Sequence, residues 1–117
     1  MQQKLRLSKS KDFSSVHSEG RNWANRLLVL KARPNGLTVS RFGFSVGRRV
    51  GTAVTRNTVK RRLRASAQNT PVKAGYDVVV IARASASECD YHRLNAALRE
   101  LLDQAGLLAG AHEGADA

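Results

Sequence analysis

The stretch GRRVGTAVTRNTVKRRLRA, Gly47 to Ala65, carries seven arginines and lysines and no acid. Gly47 to Gly51 interrupts any regular pattern, and Thr52 or Thr55 can then cap a helix that continues to about Gln68 before Pro71 and Gly75 end it. On a helical wheel, Val59, Leu63 and Ala67 fall in a narrow apolar stripe. Asn57, Lys60, Arg61 and Arg64 share an arc of about 100° on the far side, with Arg56 at its edge and Arg62 flanking the stripe. The helix therefore has a core face and a cationic ridge.

The flanking segments place this helix between strands. Upstream, Thr38 to Val46 alternates strictly, with Phe42, Phe44 and Val46 on one face and Arg41, Gly43 and Ser45 on the other. Downstream, YDVVVIA (Tyr76 to Ala82) is a β-branched run that reads as a buried strand, parallel to the Phe42 strand because a helix separates them. Further upstream, NWANRLLVLKAR (Asn22 to Arg33) holds a continuous apolar stretch, Leu27 to Leu30. The turn chemistry of Pro34, Asn35 and Gly36 then predicts a hairpin whose return strand is Thr38 to Val46. Ser8 and Ser10 can each cap a short helix running to about Glu19, with Phe13, Val16 and His17 on one side and Gly20 as its stop. After a small-residue loop, Ser85 to Ser87, the spacing of Tyr91, Leu94, Leu98, Leu101, Leu102 and Ala105 predicts an amphipathic helix that packs on the sheet. The expectation is an α+β fold of one domain, residues 1–109, with residues 110–117 as a flexible tail.

Composition sets the class of partner. A chain of 117 residues is the size of one domain, and its 42% apolar and 25% charged residues match ordinary globular proteins. The formal net charge is +11, and from Arg21 through Tyr76 there are 13 basic residues and no acidic one. Such segregation creates a positive field whose natural complement is a polyanion, nucleic acid before an anionic membrane surface. Membrane binding is disfavoured because the face opposite the ridge has few large apolar groups and is needed for the core. Cys89 is the only cysteine, which excludes an intrachain disulfide and a multi-cysteine metal site and suits a reduced, structural residue. The N-terminal MQQKLRLSKSKDF lacks the apolar centre of a signal peptide, and no run approaches the ~20 apolar residues of a membrane span, so a cytoplasmic protein is expected.

A solvated helical face normally mixes signs. Here Arg56, Lys60 and Arg64 stack like charges at i, i+4 spacing, which loses roughly 0.2–0.5 kcal/mol per pair unless an external anion answers them. Arginine outnumbers lysine, and its planar fork suits phosphate. Arg48, Arg49 and Gly51 precede the helix, whose N-terminal amides can receive a phosphate as well. Gly47 and Gly51 do not form a nucleotide-triphosphate loop, since the lysine followed by serine or threonine is absent.

GRRVGTAVTRNTVKRRLR resembles the signature of the protein subunit of bacterial ribonuclease P, KKxGxAVxRNxxKRxxR. Arg48, Arg49, Val50, Gly51, Ala53, Val54, Arg56, Asn57, Lys60, Arg61 and Arg64 match in order. RLSKSKDFSSVHSEG resembles the family's first helix, NWANRLLVL its first strand, FGFSVGRR its next and YDVVVIAR the strand after the basic helix, covering about residues 4–105. The resemblance implies a single-domain α/β sandwich of ribosomal-protein-like type, in the order α-β-β-(β)-α-β-α. It also implies a left-handed strand–helix–strand crossover, where the general rule would give a right-handed one in about 98% of cases. It implies a division of labour too. Arg48, Arg49 and the basic helix, with Arg56, Asn57, Lys60, Arg61, Arg62 and Arg64, dock on the catalytic RNA. A cleft between the first helix and the sheet, lined by Phe13, His17 and Lys31, holds the single-stranded 5′ leader of precursor tRNA. On this reading Mg2+ and the chemistry belong to the RNA, one protein serves each RNA, and the protein itself carries no catalytic or metal-binding residue.

Three positions depart from the family pattern. Thr58 stands where the second arginine of the Arg-Asn-Arg motif is usual, His17 where a second aromatic is common, and Lys31 replaces an aromatic found in some members. His17, His92 and His112 are scattered, and no motif joins a base, a nucleophile and an electrostatic stabiliser; Asp77, Glu88 and Asp90 form no recognisable carboxylate metal site. The competing readings are a ribosomal-type RNA-binding protein without a nuclease role and a protein-only nuclease using the histidines.

Overall fold

The computed structural model describes residues 5–109. Its elements run α1 (Ser10–Glu19), β1 (Arg21–Ala24), β2 (Leu28–Pro34), β3 (Arg41–Val46), α2 (Ala53–Gln68), β4 (Tyr76–Ala82) and α3 (Tyr91–Gln104). Short 3-10 segments, Arg48–Val50 and Ala84–Glu88, follow β3 and β4.

The valine-rich run of β4 decides the arrangement. Val78, Val79 and Val80 alternate between two faces and all are fully buried, so both faces of this strand must be covered. β4 accordingly lies inside a four-stranded sheet of order β1-β2-β4-β3, antiparallel to β2 and parallel to β3. On one face Leu28, Leu30, Phe42 and Val80 meet Val59 and Leu63 of α2 and Leu94 and Leu98 of α3. On the other face Val79 packs with Val16 of α1 and Leu7.

Several expectations need correction. The Thr38–Val46 strand begins at Arg41 and is not the hairpin return of the Leu27–Leu30 strand, because β4 inserts between β2 and β3. Turn chemistry at Pro34–Gly36 reports only a local reversal and cannot name the neighbouring strand. The hairpin is instead β1–β2, with Trp23 opposite Leu30, so Asn22–Arg33 is two strands rather than one. Asn25 makes the break: its Oδ1 accepts from the backbone N–H groups of Leu27 and Leu28 at 3.1 and 2.9 Å, and its Nδ2 donates to the Ala97 carbonyl at 3.0 Å. Neither Ser8 nor Ser10 caps α1, whose N-cap is Lys9 with no side-chain hydrogen bond. Ser85 to Ser87 lies within a 3-10 turn rather than an open loop.

One polar node fixes α1 and the sheet together. Asp77, 2% exposed on β4, receives Arg41 Nε at 2.8 Å and Arg41 Nη2 at 2.7 Å, and Asn35 Nδ2 at 2.9 Å. Arg41 Nη1 also lies 3.7 Å from Asp12 of α1. Burial opposes ionisation of Asp77 more than any other single influence. The hydrogen bonds from Arg41 and Asn35, with the charges of Arg41 and Arg33, together outweigh it and hold the carboxyl below its ordinary pKa. The Asp77 hydrogen bond raises the Arg41 pKa in turn, against burial.

Candidate nucleic-acid interface

The helix α2 is capped by Thr52, whose Oγ1 accepts from the Thr55 N–H at 3.4 Å; Thr55 itself lies inside the helix. Val59, Leu63 and Ala67 are buried as their stripe requires, and Ser66 joins them. Asn57 and Arg61 are exposed, while Arg56, Lys60 and Arg64 are half-buried along the same flank. No acid occurs in the helix, and the Nε atoms of Arg56 and Arg64 are buried without a hydrogen-bond partner. Arg62 differs: its Nη1 donates to the Cys89 carbonyl at 2.8 Å, so this guanidinium ties α2 to the segment before α3. Thr58 turns its hydroxyl back to the Val54 carbonyl at 3.0 Å. Arg48 and Arg49 are exposed on a turn anchored by buried Val50, and Gly51, at φ 149°, permits the sharp entry into α2.

The second candidate surface lies on the α1 face of the sheet. Strand register there produces transverse rows. Arg33, Asp77 and Arg41 form one, Lys31, Val79 and Gly43 the next, and Val29, Ile81 and Ser45 the third. Helix α1 runs along the first row, held at one end by the Asp12–Arg41 contact and at the other by a Glu19–Arg33 ion pair. Phe13 packs against Gly43, where a Cβ would come within 2.5 Å of the ring Cζ. In the third row Val29 and Ile81 are half-buried and Ser45 is exposed, giving an open apolar floor beside α1. Phe13, half-buried, and His17, exposed one turn later, stand on the α1 side, and half-buried Lys31 rises from β2.

The structure thus gathers Phe13, His17 and Lys31 on one face of the sheet and carries the α2 ridge on a helix packed against the other. Sequence reading did not single out the floor residues Val29 and Ile81 or the role of Gly43; the alternation of β2 and β4 with the small residue in β3 was the available signal. His92 is exposed beside Tyr91, at an edge-to-face ring distance of 5.6 Å, and His112 lies outside the described residues. Among the described residues no three of His, Cys, Asp and Glu converge as a metal site, and no helix is long and apolar enough to cross a membrane.

Known proteins share both the sequence and this architecture. The chain is 42% identical over 110 residues to the ribonuclease P protein component of Caldanaerobacter subterraneus subsp. tengcongensis, covering 92% of this chain and 95% of that protein. It is 40% identical to the counterpart in Dehalococcoides mccartyi, covering 97% and 94%. Among solved structures, the RNase P protein from Thermotoga maritima superposes with a TM-score of 0.75 at 34% identity, covering 85% of this chain and 96% of that one. The Staphylococcus aureus RNase P protein does so with a TM-score of 0.81 at 29% identity, covering 89% and 97%. The family model described as Ribonuclease P matches residues 1–106, and the chain therefore belongs to the ribonuclease P protein family.

Proposed function

We propose that this chain is the protein subunit of a cytoplasmic ribonuclease P. In that role it binds the RNase P RNA through the α2 ridge with Arg48 and Arg49, and the 5′ leader of precursor tRNA through the cleft beside α1. It thereby assists the endonucleolytic cut that leaves mature tRNA with a 5′ phosphate, one protein acting with each RNA. The cut itself and its Mg2+ are the RNA's. The protein lowers the electrostatic cost of bringing two polyanions together and selects substrates that carry a leader.

The observation that carries this reading is the acid-free ridge of α2, where Arg56, Lys60, Arg61 and Arg64 follow one another along one flank with no acidic residue in the helix. The open floor of Val29 and Ile81 beside Phe13 supports the leader assignment, because a flat apolar surface with stacking groups accepts bases irrespective of sequence. The test is cleavage of precursor tRNA in low magnesium by the protein alone, by the RNase P RNA alone and by both. The reading expects no cleavage by the protein and strong stimulation of the RNA. Cleavage by the protein alone, or no stimulation, overturns it.

A further inference from the structure

Helix α1 forms one wall of the cleft, yet little apolar contact holds it there. Of its 10 residues only Val16 is fully buried, and its N-cap makes no side-chain hydrogen bond. A helix this short is marginal by itself, so its seat depends on what it meets on the sheet. Asp12 and Glu19 are the only acids among residues 1–20, and both stand in α1. A wall beside an anionic strand thus carries two carboxylates. Each is answered by an arginine of the first row, Asp12 by Arg41 and Glu19 by Arg33, while Phe13 meets Gly43 in the second row, toward the floor.

The two ion pairs differ in kind. Glu19 is 63% exposed, and exposed pairs contribute little. Asp12 and Arg41 are each only 24% exposed, and Arg41 is already ordered. Its Nε and Nη2 donate to the Asp77 carboxylate, which also accepts from Asn35 Nδ2, and its Nη1 lies 3.7 Å from Asp12. Asp12 therefore pairs with a fixed guanidinium, at a smaller entropy cost than two free side chains would incur. Its place in the first turn adds the attraction of the helix dipole for an anion. Arg41 and Gly43 are two residues apart in β3 and share one face, so consecutive residues of α1, Asp12 and Phe13, are set against alternate residues of that strand.

We propose that Asp12 is a positioning residue for the leader: through Arg41 it holds the first turn of α1 on β3 and so keeps Phe13 over Gly43, where it stacks on a leader base. The assignment of Phe13 to the leader rests on the function proposed above. The charge of Asp12 alone acts in the opposite direction, because a carboxylate beside an anionic strand weakens binding. Its removal strengthens precursor binding if Asp12 only tunes the potential, and weakens it if Asp12 holds Phe13 in place.

The test compares holoenzyme affinities for precursor and mature tRNA among Asp12→Asn, Asp12→Glu, Phe13→Ala, the double variant Asp12→Asn/Phe13→Ala and the charge control Asp103→Asn. Asp103 is exposed on α3, which packs on the other face of the sheet. Asp12→Asn should lower the preference for precursor roughly two- to fivefold, the scale of a partly exposed ion pair, without weakening RNase P RNA binding. Asp12→Glu should recover part of that preference, and the control should retain all of it. In the Phe13→Ala background Asp12→Asn should have no further effect, since the group it positions is gone. A preference unchanged or raised in Asp12→Asn, equal weakening toward both tRNAs, or a second full loss in the double variant overturns the positioning role. Phe13→Ala without effect on the preference removes the leader reading and this proposal together, whereas a loss in Phe13→Ala beside an unaltered Asp12→Asn removes the proposal alone.

Discussion

Phe13 lies directly on Gly43: the ring of the α1 residue occupies the space where any larger residue on β3 would place its Cβ. The aromatic wall of the cleft therefore depends on a residue with no side chain. Gly43 also pairs with Val79, the buried centre of this face, so the same packing locates α1 over the sheet.

Gly43→Ala should displace Phe13 and lower stability by about 1–3 kcal/mol, as overpacking does. In the holoenzyme it and Phe13→Ala should both reduce the preference for precursor over mature tRNA, by an amount matching one unstacked base, roughly 1–3 kcal/mol. Thermal unfolding and paired affinities for the two tRNAs check this. Equal weakening toward both would remove the leader assignment from Phe13.

Arg56→Ala combined with Lys60→Ala should weaken binding to the RNase P RNA and flatten its salt dependence, by about 0.7–0.9 in slope for each phosphate that is no longer neutralised. Unchanged affinity and slope in a salt titration would take the ridge out of the interface.

Thr58→Arg restores the basic residue common at this point of the motif. Thr58 makes only a local bond to the Val54 carbonyl, so its replacement breaks no tertiary hydrogen bond. The variant should bind RNase P RNA more tightly, with a slope steeper by up to about 0.9. No change in slope would mean that position 58 faces no phosphate.

Asp77→Asn should cost about 1.5–3 kcal/mol at neutral pH, since the amide offers one acceptor oxygen where the carboxylate offers two, and it leaves the Arg41 charge without its counterion. The folded Asp77 pKa is depressed, so its contribution is fully present above the ordinary carboxylate value near pH ~4 and is lost as pH falls through the lower folded value. Urea unfolding should accordingly show the gap between the parent and Asp77→Asn closing below about pH 4. A gap independent of pH would show that the carboxylate charge is not what stabilises the node.

Much of this was legible in residue order. The Val59, Leu63 and Ala67 stripe located the core side of α2, and the YDVVVIA run announced a strand covered on both faces and parallel to its partner. Neighbour choice in the sheet was not legible, because alternation in β3 and turn residues at Pro34–Gly36 are local properties whereas the insertion of β4 is a long-range one. Asn25 was readable in principle as a turn residue, yet the apolar continuity of Leu27 to Leu30 concealed the break between β1 and β2. Likewise, the ridge residues could be placed on a wheel, but the diversion of Arg62 to the Cys89 carbonyl required a loop that folds back from beyond β4.

The proposed function requires one protein to present two RNA surfaces, the α2 ridge to the RNase P RNA and the α1 cleft to the precursor's leader. Photo-crosslinkers attached through Asn57→Cys on the exposed ridge and Ser45→Cys on the exposed cleft floor test it in the assembled holoenzyme with precursor tRNA bound. The probe at 57 should mark the RNase P RNA and the probe at 45 the leader. Crosslinks from both positions to the same RNA, or an exchange of the two targets, would contradict it.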